Sequence, residues 1–379
     1  MSASRWRWSA LGSVAMMIVG CGGGSGSATP ADDASGATDA DTRPLDGATA
    51  GDDAASAADV GATSDAVPAD VGGEAGPGDV AADVAPDGGS SARGFPADAP
   101  WLSFYGNASQ LGDLGMAAST FRIINLDADP GAGNFTPAQI TTLKSGGKNR
   151  VISYFDVGSC ENYRDWWSFS GITPPAGFVS CKDNAKAQRG AYGGYPNEVW
   201  MDVGDPDYQH LLVDWVAPRL MATGIDGFFL DNLEIVEHGA TASEGPCDAA
   251  CAQGGLDLVW MLRQKFPDAL IVMQNATSDV TRNGMTHGVA YPSLLDGISH
   301  EEVFAPTPDT GAQAELTAWK SLALAPGGHP FFIGTEDYVG SCTNTSAAKS
   351  AYDQSRAMGF SPYATDASAS QTVACYWPF

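Results

Sequence analysis

Carboxylates and amides recur in this chain just after short apolar runs. Asp127 follows residues 121–126, Asp156 follows 151–155, and Asp231-Asn232 follow 227–230. Gln274-Asn275 come after 270–273, Glu301-Glu302 after 297–300, Glu336-Asp337 after 330–335, and Asp366 soon after 361–364. Two carboxyl groups facing each other across a cleft can split an acetal. One donates a proton to the leaving oxygen, while the other attacks the carbon or activates water. Rival constellations are missing from the sequence. It has no Gly-x-Ser-x-Gly elbow, phosphate-binding loop, dinucleotide-binding glycine signature or His-Glu-x-x-His. The histidines His210, His238, His287, His300 and His329 are scattered, and only His300 adjoins such a carboxylate. No cofactor or metal site is implied.

The apolar runs, with a first one at 101–105, alternate with longer amphipathic or polar stretches. Eight strands with intervening helices predict an α/β fold, a (β/α)8 TIM barrel over residues 95–379, whose chemistry sits where the strands end. Strand alternation turns Glu301 and Glu302 to opposite sides, so Glu301 faces the cleft. The best-marked helix starts at Asp205-Pro206 and buries Leu211, Leu212, Trp215, Val216 and Leu220, with Pro218 expected to kink it and Gly224 to stop it. A second helix is expected from about Leu256 to Phe266. Asp226 is expected to pack or bond within the turn before its strand, while Asp202 and Arg219 either bind amino groups or hydroxyls or form an ion pair with each other. Tyr105, Tyr154, Tyr338 and Trp377 could stack on sugars or fill the core.

Before residue 95 the chain changes character. Arg5 and Arg7 precede an apolar stretch over 10–19 that is too short to span a bilayer. Ile18-Val19-Gly20-Cys21 resembles the lipobox of bacterial lipoproteins, which implies a signal peptide over 1–20, lipid attached to Cys21, and an extracytoplasmic location on the outer membrane or cell surface. Residues 21–94 read as a disordered linker. From Gly22 to Ala92 there is no aromatic residue and no lysine, and fourteen Asp and Glu face Arg43 alone. The whole chain carries a net charge of -26. That excludes nucleic acid as a partner and favours a neutral or cationic ligand. Beyond Cys21 lie Cys160, Cys181, Cys247, Cys251, Cys342 and Cys375. An oxidising compartment allows fifteen disulfide patterns for six cysteines. Proximity favours Cys160–Cys181, Cys247–Cys251 and Cys342–Cys375.

Several segments together are familiar. Ile152-Ser-Tyr-Phe-Asp-Val-Gly-Ser with Glu161 and Arg164, Glu198-Val-Trp-Met-Asp-Val, Arg219 and Gly224-Ile-Asp-Gly-Phe-Phe-Leu-Asp-Asn resemble glycoside hydrolase family 114. Asp296-Gly-Ile-Ser-His-Glu-Glu and Pro330-Phe-Phe-Ile-Gly-Thr-Glu extend the likeness. The resemblance implies a (β/α)8 endo-α-1,4-polygalactosaminidase with Asp231 and Glu301 as the catalytic pair, Asp231 as nucleophile and Glu301 as general acid/base. Asp127, Tyr154, Asp156, Asn232, Asn275, His300 and Glu336 are the expected substrate contacts. The substrate would be a polysaccharide, and the protein a monomer. Gln274 stands where the family has lysine, His300 where it has asparagine, and the loop over 237–255 is remodelled. A carbohydrate-binding or matrix protein on the same barrel, or a glycosidase for another α-linked sugar, fits the same residues.

Overall fold

In the computed structural model the described residues are 93–367 and 370–379. The expected signal peptide, Cys21 and the linker as far as residue 92 lie outside them. No helix among the described residues is long and apolar enough to cross a membrane.

Eight parallel strands follow one another around a nearly closed barrel. They are β1 (Trp101–Phe104), β2 (Ile123–Leu126), β3 (Arg150–Asp156), β4 (Gly227–Asp231), β5 (Leu270–Gln274), β6 (Gly297–Glu301), β7 (Phe332–Tyr338) and β8 (Ser361–Thr365). The seam between β1 and β8 is bridged by Trp101 Nε1, which donates to the Ser361 carbonyl at 2.8 Å. Helices cover the outer face, so both sides of the sheet are buried and the strands read as continuous apolar runs. Pairing register sets the interior. Trp101, Phe229, Phe332 and Tyr363 share it at the lower end, with Trp101 lying 5.6–6.3 Å from the other three rings. Further along the strands the interior turns polar, with Ser103, Asn125, Ser299 and Glu336 fully buried. Gly227 permits the close contact of β4 with β5, since a Cβ there would meet the Leu270 carbonyl at 2.0 Å.

All eight strands arise at the expected runs. β7 differs most, because it starts at Phe332 and continues to Tyr338, taking Glu336 and Asp337 into the strand. Asp337 Oδ1 accepts from the Phe304 and Ala305 N–H groups at 2.6 and 2.8 Å, which ties the extension to the loop after β6. Asp205 caps the marked helix by accepting from Asp207 N and Tyr208 N. The helix then widens into a π turn over Leu211–Val216 just ahead of Pro218, which absorbs the hydrogen bond that proline cannot make. The second helix begins earlier than Leu256, at Ala249, because Asp248 caps it.

Between β3 and this first helix lies an antiparallel sheet that the strand pattern did not announce. It is built from Ser159–Glu161, Gln188–Tyr192 and Tyr195–Met201, with Gly193-Gly194 at the hairpin turn. The expected Asp202–Arg219 pair does not form. Asp202 bonds Arg189 and Arg219 bonds Asp165, since the insert sheet carries Asp202 away from the helix. Asp226 reaches beyond its own turn, accepting from Val151 N of β3 at 2.8 Å and pairing with Lys144 at 2.7 Å. Trp377 is not in the cleft. It donates to the Ala364 carbonyl at 2.8 Å and packs near Phe379 outside the barrel wall.

The disulfides are Cys160–Cys181, Cys247–Cys251 and Cys342–Cys375. The last spans 33 residues and fixes the tail across β8. Closing a loop of that length in the unfolded chain is worth about 4 kcal/mol. Cys342→Ser/Cys375→Ser should therefore lower the unfolding free energy by about that amount in urea titrations, and an unchanged midpoint would contradict it.

Candidate active site

Glu301 ends β6 and is held from three sides. Its Oε1 accepts from Tyr338 OH and from Gln371 Nε2, the latter at 2.9 Å. Its Oε2 accepts from Asn275 Nδ2 at 3.0 Å, and its own N–H returns a bond to Asn275 Oδ1 at 3.1 Å. Asn275 can do this because it adopts a left-handed turn, φ 61°, directly after β5. The side chain therefore has one orientation, with its carboxylate already solvated by protein donors.

Asp231 ends β4 and is half-buried. One N–H, from Asn232, reaches its Oδ1 at 2.9 Å. Burial, then the charges of Glu234 and Glu301, push its carboxyl well above the usual range. Asn232 is also left-handed, φ 60°, and donates Nδ2 to Asp156 Oδ1 and Ser159 Oγ at 3.2 Å each. The backbone comes close here, for a Cβ on Gly158 would lie 1.6 Å from the Asn232 carbonyl. Asp156 sits beneath this bridge, accepting from Ser159 N at 2.8 Å and from its hydroxyl. Burial, then Glu198 and Glu161, push the Asp156 carboxyl well up.

The other expected contacts separate into groups. Tyr154 lies 4.5 Å from Tyr105, ring to ring, and its hydroxyl donates to Glu161 at 3.4 Å, so it forms the wall of the site. His300, on the opposite side of β6 from Glu301, bonds the Glu301 carbonyl oxygen through Nδ1 at 2.7 Å. Glu302 is exposed in the following turn, as alternation requires. Two expectations need correction. Asp127 has both oxygens engaged, by Arg164 at 3.0–3.1 Å, by Asp129 N and by Asn134 Nδ2, so it holds the scaffold and cannot also grip a sugar. Glu336 is fully buried in the polar interior, out of a polymer's reach. Burial, then Glu301, push its carboxyl well above the usual range. Gln274, 1% exposed, adds no cation to that interior.

Arg164 is the buried cation of this face. Burial opposes its charge, yet Glu161 and Asp127 raise its affinity for the proton. Its guanidinium bonds Asp127, Asp129 and Glu161. Removing one partner from such a group leaves buried charge uncompensated.

Several residues were not singled out from sequence. Gln371 sits on the irregular tail, 1% exposed, and also bonds Ser103 and Tyr338. No periodicity marks it, and the expected Cys342–Cys375 bond was its one indirect signal. Glu234 and Glu237 follow Asn232 in a short 3-10 segment, and burial pushes them up to about 8 and about 7. Glu198, on the insert sheet, accepts from Ser159 Oγ at 2.9 Å and is pushed up to about 7, first by burial and then by Glu161.

These raised carboxyls make stability depend on pH with a definite sign. Glu198, Glu234, Glu237 and also Asp337, pushed up by burial to about 6, titrate near pH 4 when unfolded. From about pH 4 to 8 the native state thus holds more protons than the unfolded chain, so stability falls as pH rises. The melting temperature should be highest near pH 4 and decline through pH 8. A midpoint that climbs over that interval would contradict this electrostatic description.

Known proteins share this fold. The model of glycoside-hydrolase family GH114 matches residues 96–254, a stretch that includes Asp156, Arg164, Asp231 and Asn232. The structure of the glycoside hydrolase domain of PelA from Pseudomonas aeruginosa is similar, with TM-score 0.53 and 16% identity over 72% of this chain and 96% of that one. The crystal structure of Aspergillus fumigatus Ega3 in complex with galactosamine gives TM-score 0.52 and 15% identity over 74% and 96%. At that identity the two structures establish the barrel fold. No curated protein matches the chain. Family match and fold agree: residues 96–254 are similar to glycoside-hydrolase family GH114, on a barrel whose fold is shared with the PelA glycoside hydrolase domain and Ega3.

Proposed function

We propose that the domain cleaves an α-linked amino-sugar polysaccharide from within the chain, with Asp231 as nucleophile and Glu301 as general acid and then base. The observation that carries this reading is the clamped Glu301 on β6 within electrostatic reach of Asp231 on β4, both at the carboxyl end of the barrel. Glu301 protonates the leaving oxygen while Asp231 attacks the anomeric carbon, and Glu301 then activates the water that releases the product. Tyr338, Gln371 and Asn275 hold Glu301 in one rotamer, which supplies the orientation that the proton transfer needs.

The acidity of the cleft supports a cationic substrate. Asp156, Glu198, Asp231 and Glu234 crowd together, and the nearby buried cation, Arg164, is already engaged by its three carboxylates. A protonated amino sugar would relieve that repulsion, and Ega3 is a barrel of the same fold solved with galactosamine. The lipobox-like segment at Cys21 supports export and anchoring at the cell surface.

Hydrolysis of partially deacetylated galactosaminogalactan, read as new reducing ends, tests the reading. Asp231→Asn and Glu301→Gln should each lose about 10³-fold in kcat with the fold intact. Equal activity in Asp231→Asn would sink the mechanism, and reducing ends from no polymer at all would sink the activity. A second expectation follows from charge. A bound ammonium lowers the Asp231 carboxyl, so the acidic limb of kcat should lie at lower pH than that of kcat/KM. Coincident limbs would show that no cation sits near Asp231.

A further inference from the structure

The insert sheet ends in a column of rings that neither the barrel nor the catalytic pair requires. Tyr195, at the hairpin tip, lies 4.8 Å from Tyr192, Tyr192 stacks at 4.1 Å on Trp200, and Trp200 lies 4.9 Å from His238. Trp200 is 2% exposed, whereas the Tyr195 ring is 44% exposed. The column is braced at Tyr192, at the hairpin turn and at His238. Tyr192 OH donates to Asn232 Oδ1 at 3.3 Å, Gly193 N donates to Glu244 Oε2 at 2.9 Å, and His238 Nδ1 lies 3.1 Å from the carbonyls of Glu244 and Gly245. The brace comes from the remodelled loop that also carries Cys247–Cys251.

A single exposed tyrosine needs no explanation. This one differs in being the open end of a rigid stack, so a ligand that covers it orders nothing further. It also adjoins the cleft, since its neighbour Tyr192, 4.8 Å away, bonds Asn232, the residue after Asp231. A pyranose has an apolar C–H face that packs flat on such a ring. An amino substituent would find both the ring face and the surrounding carboxylates favourable.

We propose that Tyr195 is the stacking platform of a distal subsite, which takes a pyranose unit of the same polysaccharide chain beyond the units held between Asp231 and Glu301. This deepens the functional reading above and rests on it for the identity of the polymer. The braced loop makes the subsite a feature of this chain's own insert.

Titration calorimetry on the Asp231→Asn protein, alone and with Tyr195→Ala, Tyr195→Phe or Tyr195→Trp added, tests the proposal without turnover. The probes are α-linked galactosamine oligomers, chitosan oligomers and maltooligosaccharides, from dimers to octamers. Tyr195→Ala should weaken the longer oligomers about fivefold and leave dimers unchanged, while Phe and Trp at the position retain the affinity. Unchanged affinity at every length overturns the platform. So does an equal loss for dimers and octamers, or a protein that binds none of the three classes. The catalytic reading fails separately. Length-dependent loss in Tyr195→Ala, together with no cleavage by the unsubstituted protein, would keep the subsite and remove the hydrolase.

Discussion

Like charge brought together out of water is the constraint on which this site depends. Asp156, Glu198, Asp231, Glu234 and Glu336 converge at the carboxyl end of one barrel, and burial is the largest cause of each raised carboxyl. Left alone, such a group would protonate or push the strands apart. Two devices oppose this. Arg164 neutralises one flank by binding Asp127, Asp129 and Glu161, and neutral donors from Asn232, Asn275, Tyr338 and Gln371 solvate the carboxylates that remain. The residual repulsion faces the cleft, where an arriving cation would lower it.

The donors are held by covalent and backbone restraints. Gln371 lies on an irregular tail, and Cys342–Cys375 anchors that tail to the loop after β7. Asn232 and Asn275 each turn left-handed immediately after a strand, which aims an amide back at a neighbouring carboxylate instead of along the loop. Cys160–Cys181 ties the base of the insert sheet. A barrel with this much uncompensated charge at one end gives up stability for orientation, a trade common to reactive sites.

Much of this was legible in the sequence, for reasons that differ from residue to residue. The eight strands were readable because a parallel barrel buries both faces of its sheet, so each strand is an apolar run closed by a polar residue. Asp231 and Glu301 were readable because they are those closing residues, and the family likeness named them. The cysteine pairs followed from proximity along the chain. The insert sheet was not readable, because its strands are largely exposed or half-buried with no regular alternation and its turn signal is only Gly193-Gly194. Gln371 was silent because the tail has no period at all. Asp127 misled, since a carboxylate after a strand looks the same in sequence whether a sugar or Arg164 takes its oxygens. Asp202 and Arg219 misled because the intervening sheet redirects both.

The central claim is that this acidic cleft processes a cationic amino-sugar chain. Its most direct test compares initial cleavage rates on one galactosamine polymer, fully N-acetylated or deacetylated, at matched length and low ionic strength. The account predicts faster cleavage of the deacetylated, positively charged chain. Equal or faster cleavage of the neutral, acetylated chain would contradict it.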